Sequence, residues 1–299
     1  MANSDHRRRN FLILGSLALI AAFAVGLFSY HTWPFSSSAP KEKSIAVLPF
    51  KNDSNDSTNL YLINGLMEST LNNLQKIKDL NVISRTSAEK YRHTSRSIPE
   101  MARELHVNYF VEGSGQKIGD RILLTIQLIE ASTDKHLWSK QYRTEASDIF
   151  DLQLEIAKDI AGEIQVFITP EEKKRIEKNP THDLVAYDFF LKGEDFFRRA
   201  GTANLERAVI WFKKAIEKDN EFALAYAGLV TTYYYLDAFQ LEKKYAVEID
   251  NYADQALLFD PTLAESLIAK ALYHMYKKDF QSAVPYLEKA LEYNPNSVT

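Results

Sequence analysis

The sequence predicts an α/β domain followed by an all-α domain, both held to a membrane by one N-terminal helix. Three observations predict this organisation: an apolar run, a stretch that mixes strand and helix periodicity, and a last third in which small residues recur at a fixed spacing. We divide the chain accordingly into a cytoplasmic N-terminus, a transmembrane helix, a linker, the α/β domain, a second linker and the all-α domain, at residues 1–10, 11–30, 31–43, 44–170, 171–182 and 183–299.

The composition is ordinary for a globular protein and excludes several kinds of site. Of the 299 residues, 45% are hydrophobic and 25% are charged, and the length suits about two domains. The net charge is −4 and no segment is strongly basic, so we expect no nucleic-acid partner. Because the chain has no cysteine, it cannot hold a disulfide scaffold, a thiolate zinc site or a thiol nucleophile.

The apolar run at residues 11–29 predicts a transmembrane helix. At about 1.5 Å per residue it is about 28 Å long, close to the thickness of the bilayer core. Arg7–Arg9 precede it, and Tyr30 and Trp33 follow it, which favours a cytoplasmic N-terminus with the bulk of the chain outside the cytoplasm. The alternative is a cleaved signal peptide, but the apolar region of such a peptide is usually about 7–15 residues long, and Pro40 follows the nearest candidate cleavage site.

Residues 44–167 show the patterns of a mixed sheet with flanking helices. Two matches to the capping box, Thr86–Glu89 and Ser97–Glu100, predict helix starts. Polar turns at Gly119–Asp120 and Ser132–Lys135 separate three segments that predict an antiparallel meander. The predicted strands are Ser44–Phe50, Leu80–Ser84, Val107–Gln116, Arg121–Ala131 and His136–Thr144, and the predicted longer helices are Thr58–Lys76 and Asp148–Phe167.

Each pattern that suggests catalysis has a simpler explanation. The GSGQKIG stretch at Gly113–Gly119 has the wrong spacing for a dinucleotide fingerprint, and a strand follows it instead of a helix, so we expect a bulge or a wide hairpin. The polar loop Lys51–Ser57 follows a buried strand, and we expect it to be exposed for contact. The seven histidines include no pair at metal-binding helical spacing. We therefore predict no catalytic, cofactor-binding or metal-binding residues, and no cofactor.

Four blocks of this segment resemble a known family. They are SIAVLPFKNDSND, VISRTSAEKY, ARELHVNYFVEGSGQKIGDRILLTIQLIEASTDKHLWSKQY and DIFDLQLEIAKDIAGEIQ. From about Ser44 to Ile168 they closely resemble the TolB-like, FlgO-related amino-terminal domain of bacterial regulators, such as CadC-like transcription factors and membrane-linked nucleotide cyclases. The resemblance implies a small mixed sheet with helices that senses or binds proteins and is not itself catalytic. Many relatives carry an effector domain before the anchor, but only ten residues precede Phe11, so we expect no such effector here.

The last third of the chain contains a repeat of 34 residues. Ala256 and Ala290 are 34 residues apart, as are Pro261 and Pro295, which is typical of tetratricopeptide repeats. An earlier copy makes three repeats, and the second carries an insertion around residues 235–245. Such repeats stack into a solenoid whose concave face binds extended peptides or helices. The alignment predicts six partner-binding residues on that face: Leu224, Thr231, Tyr234, Ile268, Leu272 and Met275.

These patterns together predict a non-enzymatic protein of the bacterial inner membrane, with its α/β and repeat domains in the periplasm, that senses or binds a protein partner. Two alternatives remain open. One is the sensor portion of a longer signalling or transcription-regulatory protein whose effector lies outside these residues, and the other is a hydrolase built on the mixed sheet. The last predicted helix, Phe280–Tyr293, keeps an apolar stripe, so we also expect self-association through the C-terminal repeat or a continuation of the chain past Thr299.

Overall fold

The computed structural model describes residues 43–54, 57–238, 240 and 242–297. The predicted anchor, and nearly all of the linker that follows it, lie outside these residues, so both stay predictions. None of the helices within the described ranges combines the length and the apolar character of a membrane span.

The elements follow the predicted order, with a mixed sheet and its helices first and helices alone afterwards. The strands are β1 Ser44–Val47, β2 Lys51–Asn52, β3 Asn81–Val82, β4 Tyr109–Ile118, β5 Arg121–Glu130 and β6 Lys135–Glu145. The helices of the first part are α1 Leu60–Gln75, α2 Arg85–Glu89, α3 Ile98–Leu105, α4 Ile149–Glu163 and α5 Pro170–Glu177. The helices of the second part are α6 Leu184–Arg198, α7 Thr202–Lys218, α8 Ala223–Ala238, α9 Ala246–Phe259, α10 Ala264–Tyr276 and α11 Phe280–Tyr293.

The strands pair into the predicted mixed sheet, and their order is β3-β1-β4-β5-β6. β1 is parallel to β3 and to β4, whereas β4, β5 and β6 form the expected antiparallel meander. The structure corrects the prediction of a polar loop at Lys51–Ser57. Its first two residues form β2, which pairs in parallel with Ser114 and Gly115 of β4.

The glycines of the GSG stretch allow β4 to pack closely against its neighbours. A Cβ atom on Gly113 would lie 2.5 Å from Cδ1 of the buried Phe50 ring, and one on Gly115 would lie 2.6 Å from the carbonyl oxygen of Leu123. Gly119, with a φ of 60°, forms the turn into β5. The structure has a tight two-residue turn here, with Ile118 paired to Arg121, instead of the predicted bulge or wide hairpin, and packing explains the glycines.

Alternation along β1 places a core on each face of the sheet. Ile45 and Val47 belong to the larger core, together with residues of α1 and α4, whereas Ala46 and Leu48 belong to a smaller core with α3. The larger core continues into the helical part without a break. The residues from Lys43 onward accordingly form one compact unit.

The helix ends agree with the sequence patterns at one position and differ at two others. Ser97 forms the predicted capping box with Glu100 at the start of α3. The predicted cap at Thr86 is wrong, because Ser84 caps α2 by accepting a hydrogen bond from the N–H of Ser87. α4 ends at Glu163, short of the predicted Phe167.

The helical part packs as successive helix pairs, α6 with α7, α8 with α9 and α10 with α11. Phe212 of α7 is fully buried between the first pair and α8. Its ring fits there because Gly193 and Gly228 have no side chain. A Cβ atom would lie 2.7 Å from the ring at Gly193 and 2.9 Å from it at Gly228. Within the segment that the sequence analysis assigned to a linker, 171–182, the structure places most of α5, which is capped by Thr169.

Candidate interaction surface

Helix α1 is the element through which the α/β domain meets the repeats. One side of α1 contributes Leu62, Ile63 and Leu66 to the core that it shares with the sheet. Its other side lies close to α6, since a Cβ atom on Gly65 would lie 2.7 Å from Cδ2 of Leu191. The absence of a side chain at position 65 therefore sets the distance between the two helices.

Polar contacts reinforce the junction between α1 and α6. From α1, Tyr61 Oη donates to Asp188 at 2.5 Å and Asn64 Nδ2 donates to Asp195 at 3.3 Å. In the other direction, Arg198 of α6 donates to Glu68 at 3.2 Å. Helix α4 adds a bond from Gln153 Nε2 to Tyr187 Oη at 2.9 Å. Glu68 also accepts from Arg85 at 2.6 Å, so a single carboxylate connects α1, α2 and α6. Half-buried charged hydrogen bonds of this kind are stronger than exposed ion pairs.

The far end of the repeats returns to the other end of α1. Asn296, which follows α11, donates from Nδ2 to the carbonyl oxygens of Gln75 and Ile77, at 3.2 and 3.0 Å. Its Oδ1 accepts from the N–H of Val82 in β3 at 3.2 Å. The repeats are thus attached near both ends of α1, and part of their inner surface is opposite this helix.

A cavity of about 290 Å³ lies between α1 and the repeats. Charged side chains in its wall include Glu68, Lys76, Glu194, Arg198 and Glu265. Removal from water raises the pKa of Glu194 and of Glu265, and the nearby Glu68 carboxylate adds to both shifts. Removal from water also lowers the pKa of Lys76. The charged forms of these three side chains are therefore less favourable in the cavity wall than they are in water.

A larger groove of about 1210 Å³ lies where α2 faces the turn between α6 and α7 and the end of α8. Its apolar lining includes Leu60, Phe197, Leu205, Tyr235 and Leu236. Its charged lining consists of the cations Arg85, Lys90, Arg92, Arg198 and Arg199 and the carboxylates Glu89 and Asp195. Both parts of the chain contribute to it. Tyr235 is 48% exposed, and the side chains of Arg199 and Lys90 are 54% and 48% exposed, so both apolar and cationic groups are accessible.

The six residues predicted to bind a partner lie on α8 and α10, and all are half-buried. Leu224 lines the cavity, so this part of the predicted concave face is opposite α1. Tyr234 contacts Tyr235 of the groove edge to face, with 5.8 Å between the ring centroids. The other four, Thr231, Ile268, Leu272 and Met275, line neither the cavity nor the groove. Their binding role stays a prediction.

The sequence analysis missed the part that α1 plays. The available signal was a set of polar residues, among them Asn64, Glu68 and Asn72, on the side of the helix opposite its apolar stripe. Such a pattern is typical of a solvated helix face. The sequence contains no local feature that distinguishes a solvated polar face from one that meets a second domain.

Two family models match the chain. Residues 264–297 match the tetratricopeptide repeat, which confirms the prediction of these repeats. Residues 41–159 match the HilA/YgeH-like transcriptional regulator, second domain. The chain therefore consists, in its described part, of a mixed-sheet α/β domain followed by tetratricopeptide repeats.

The chain is also similar to a curated protein, putative adenylate cyclase 3 from Rhizobium meliloti (strain 1021). The two are 33% identical over 190 residues, which cover 64% of this chain and 32% of the relative. The chain thus spans about a third of the length of that relative.

Three solved structures are similar to parts of the chain. TolB from Acinetobacter baumannii has a TM-score of 0.32 and 17% identity, and the match covers 42% of this chain and 28% of TolB. The second tetratricopeptide domain of Spaghetti, bound to an HSP90 peptide, has a TM-score of 0.30 and 20% identity, and the match covers 36% of this chain and 92% of that domain. The C-terminal domain of LpoB from Escherichia coli has a TM-score of 0.28 and 16% identity, and the match covers 35% of this chain and 83% of that domain. Scores this low add nothing to the sheet order and helix pairing described above.

Proposed function

We propose that this protein is a non-enzymatic, membrane-anchored module of the bacterial cell envelope that binds a protein partner and senses a signal. The tetratricopeptide repeats support a protein-binding role, since such repeats present extended binding surfaces. The apolar run at residues 11–29 and the preceding Arg7–Arg9 support an anchor in the inner membrane, with the α/β domain and the repeats in the periplasm.

The observation that carries the proposal is the groove of about 1210 Å³ between α2 and the repeats. It is larger than the ~300–1,000 Å³ of a typical small-molecule pocket, so a polypeptide segment fits it better. Its lining combines exposed apolar groups such as Tyr235 with cations such as Lys90 and Arg199. A partner segment that carries carboxylates beside an apolar anchor side chain complements both features.

Both parts of the chain line this groove, so one partner would contact the α/β domain and the repeats at once. This arrangement also agrees with the expected role of Tyr234, whose ring contacts Tyr235 at the edge of the groove. A partner seated there needs no displacement of α1 from the repeats. The remaining predicted residues of the concave face, from Leu224 to Met275, belong to the same proposal as a second contact area.

Site-specific photo-crosslinking in membranes tests the groove. A photoreactive residue replaces Thr86 on α2 or Tyr235 on α8, which line the groove from its two sides, and Val247 on α9 serves as the exposed control. We expect the two groove positions to capture the same protein and the control position not to capture it. Capture of different proteins from the two sides, or equal capture from the control, would contradict a shared partner site.

Charge reversal tests the chemistry of the partner. Lys90→Glu with Arg199→Glu should lower the yield of that crosslink at least tenfold, because the carboxylates of the partner then face like charges. The same reversal at Lys277 and Lys289, which are exposed and lie outside the groove lining, should leave the yield unchanged. A yield that is insensitive to the groove charges would show that the partner is not acidic.

A regulatory role is the second candidate. It is favoured by the match of residues 41–159 to the second domain of a HilA/YgeH-like regulator and by the similarity to a much longer relative named as a putative adenylate cyclase. In this case the chain is the sensor portion of a longer signalling protein. Deletion of residues 44–299 in the native host, followed by measurement of transcripts and of cyclic nucleotides, separates this role from scaffolding, which changes neither.

A further inference from the structure

Lys76 and Glu265 are charged groups in the cavity wall that have no ionic partner. Every other charged side chain that lines this cavity is paired: Arg198 with Glu68 and Glu194, Asp195 with Arg199, and Lys178 with Asp260. Lys76 and Glu265 form no ion pair with each other or with any other residue that the structure describes. They are nonetheless close enough for each to influence the pKa of the other.

The hydrogen bonds of Lys76 leave part of its donor capacity unused. Its Nζ donates to Oδ1 of Asn73 at 3.1 Å and to the carbonyl oxygen of Arg175 at 3.2 Å. An ammonium group has three donors, so one remains. The Glu265 carboxylate, which has about four acceptor sites, receives a hydrogen bond only from its own backbone N–H among the described residues. One wall of the cavity thus offers a donor and a positive charge, and the other offers acceptors and a negative charge.

Unpaired charges in such a place are unfavourable unless something neutralises them. Both residues are half-buried, and removing an ionised group from water without a partner costs more than removing a paired one. The shifts in pKa have this origin, since removal from water favours the neutral form of both groups. A molecule that brings a carboxylate to Lys76 and an ammonium group to Glu265 would satisfy both at once and would add no net charge to the cavity.

Size and apolar lining restrict this molecule further. The volume of about 290 Å³ is at the lower limit of ligand pockets, which run from about 300 to 1,000 Å³, so a small metabolite fits and a peptide does not. Apolar side chains of Phe190, Leu224 and Leu263 also line the cavity, and they suit an uncharged side chain.

We propose that the cavity between α1 and the repeats binds a small zwitterion of the amino-acid class, whose carboxylate pairs with Lys76 and whose ammonium group pairs with Glu265. The ligand lies between an α/β helix and the first turn of α10, so it bridges the two parts of the chain. This inference names the signal of the sensing role proposed above and rests on it. The cavity and the groove have different walls apart from Asn64, Asp195 and Arg198, so the two sites are tested independently.

The first experiment uses the wild-type chain of residues 1–299 in detergent micelles. Its melting temperature is measured with each of the common amino acids, and every positive amino acid is then compared with its decarboxylated amine and its deaminated acid. We expect at least one amino acid to raise the melting temperature by about 5 °C or more at a concentration about 100 times its Kd. The amine and the acid should each give less than a fifth of that rise, because each satisfies only one of the two charges.

The second experiment uses matched variants and isothermal titration with the positive amino acid. Lys76→Gln and Glu265→Gln should each raise its Kd at least tenfold, whereas Lys289→Gln and Glu292→Gln, at exposed positions of α11, should leave it unchanged. Lys76→Gln also loses the ammonium hydrogen bonds to Asn73 and Arg175, so the melting temperature of each variant without ligand is measured to check that it folds. The proposal is overturned if no amino acid stabilises the wild type, if the amine or the acid alone is as effective, or if both cavity variants bind normally. None of these outcomes affects the groove crosslink, so failure here is distinguishable from failure of the proposed partner site.

Discussion

Replacing Asn296 with Ala should weaken the attachment of the end of the repeats to the α/β domain and leave only the bond from its backbone N–H to the carbonyl oxygen of Gln75. The side chain of Asn296 makes three hydrogen bonds, to the carbonyl oxygens of Gln75 and Ile77 and from the N–H of Val82. At a net value of about 0.5–1.5 kcal/mol each, and with water able to replace part of them at this half-buried position, we expect a loss of about 2 kcal/mol in the free energy of unfolding. For a chain of this size that corresponds to a fall of about 4–8 °C in melting temperature.

Hydrogen exchange gives the local readout of this change. The amide of Val82 donates to Asn296 in the wild type, so its exchange should become faster in Asn296→Ala than that of amides in the β4–β5 ladder. Asn296→Asp is the intermediate case, because it keeps the acceptor for Val82 but loses both donors. Ser297→Ala is the neighbouring control and should behave as the wild type. Unchanged protection of Val82 in Asn296→Ala would refute the attachment, whatever happens to the melting temperature.

Three further predictions concern the anchor, the last helix and the cavity. A phosphatase reporter that is active only outside the cytoplasm should be active when fused after Lys43, and activity of a cytoplasm-only reporter there would reverse the proposed orientation. The apolar stripe of α11 should drive self-association at micromolar concentration, because Phe280, Val284 and Leu291 are exposed by 62%, 49% and 42%. Changing all three to Glu should give a monomer in analytical ultracentrifugation. A wild type that is already monomeric would contradict the predicted self-association. Burial raises the pKa of Glu265, so its contribution to stability is present at low pH and is lost as the pH rises through the raised pKa. In chemical denaturation, Glu265→Gln should therefore be more stable than the wild type at pH 7 but not near pH 4. Parallel pH profiles of the two proteins would show that the pKa of this carboxyl is not perturbed.

Local sequence patterns predicted the elements whose partners are near in the chain. The meander β4–β5–β6 is held by neighbouring strands and short turns, so alternation and turn residues such as Gly119 were sufficient to find it. The capping box at Ser97 likewise needs only four consecutive residues. The tetratricopeptide repeats were found because each pair of helices buries small residues against the next pair at a constant interval.

Contacts between distant segments left no such trace in the sequence. β2 consists of only Lys51 and Asn52, and its pairing with β4 depends on residues more than 60 positions away, for which two polar residues give no periodic signal. The bond from Asn296 to the carbonyl oxygen of Gln75 spans 221 positions. Asn is also common in turns, so an Asn that follows a helix is more simply interpreted as a turn residue than as a contact to a distant segment. These contacts became visible only when the fold brought the segments together.

The position of α1 explains why both candidate sites lie at the junction of the two parts of the chain. One side of α1 packs on the sheet through residues such as Ile63 and Leu66, and its other side contacts α6 of the repeats. Those contacts are partly apolar, with Leu191 of α6 against Gly65, and partly polar, through the side chains of Tyr61 and Glu68. The Glu68 carboxylate, which lines the cavity, accepts hydrogen bonds from Arg85 and Arg198 of the groove lining, so this one contact joins the walls of the two sites.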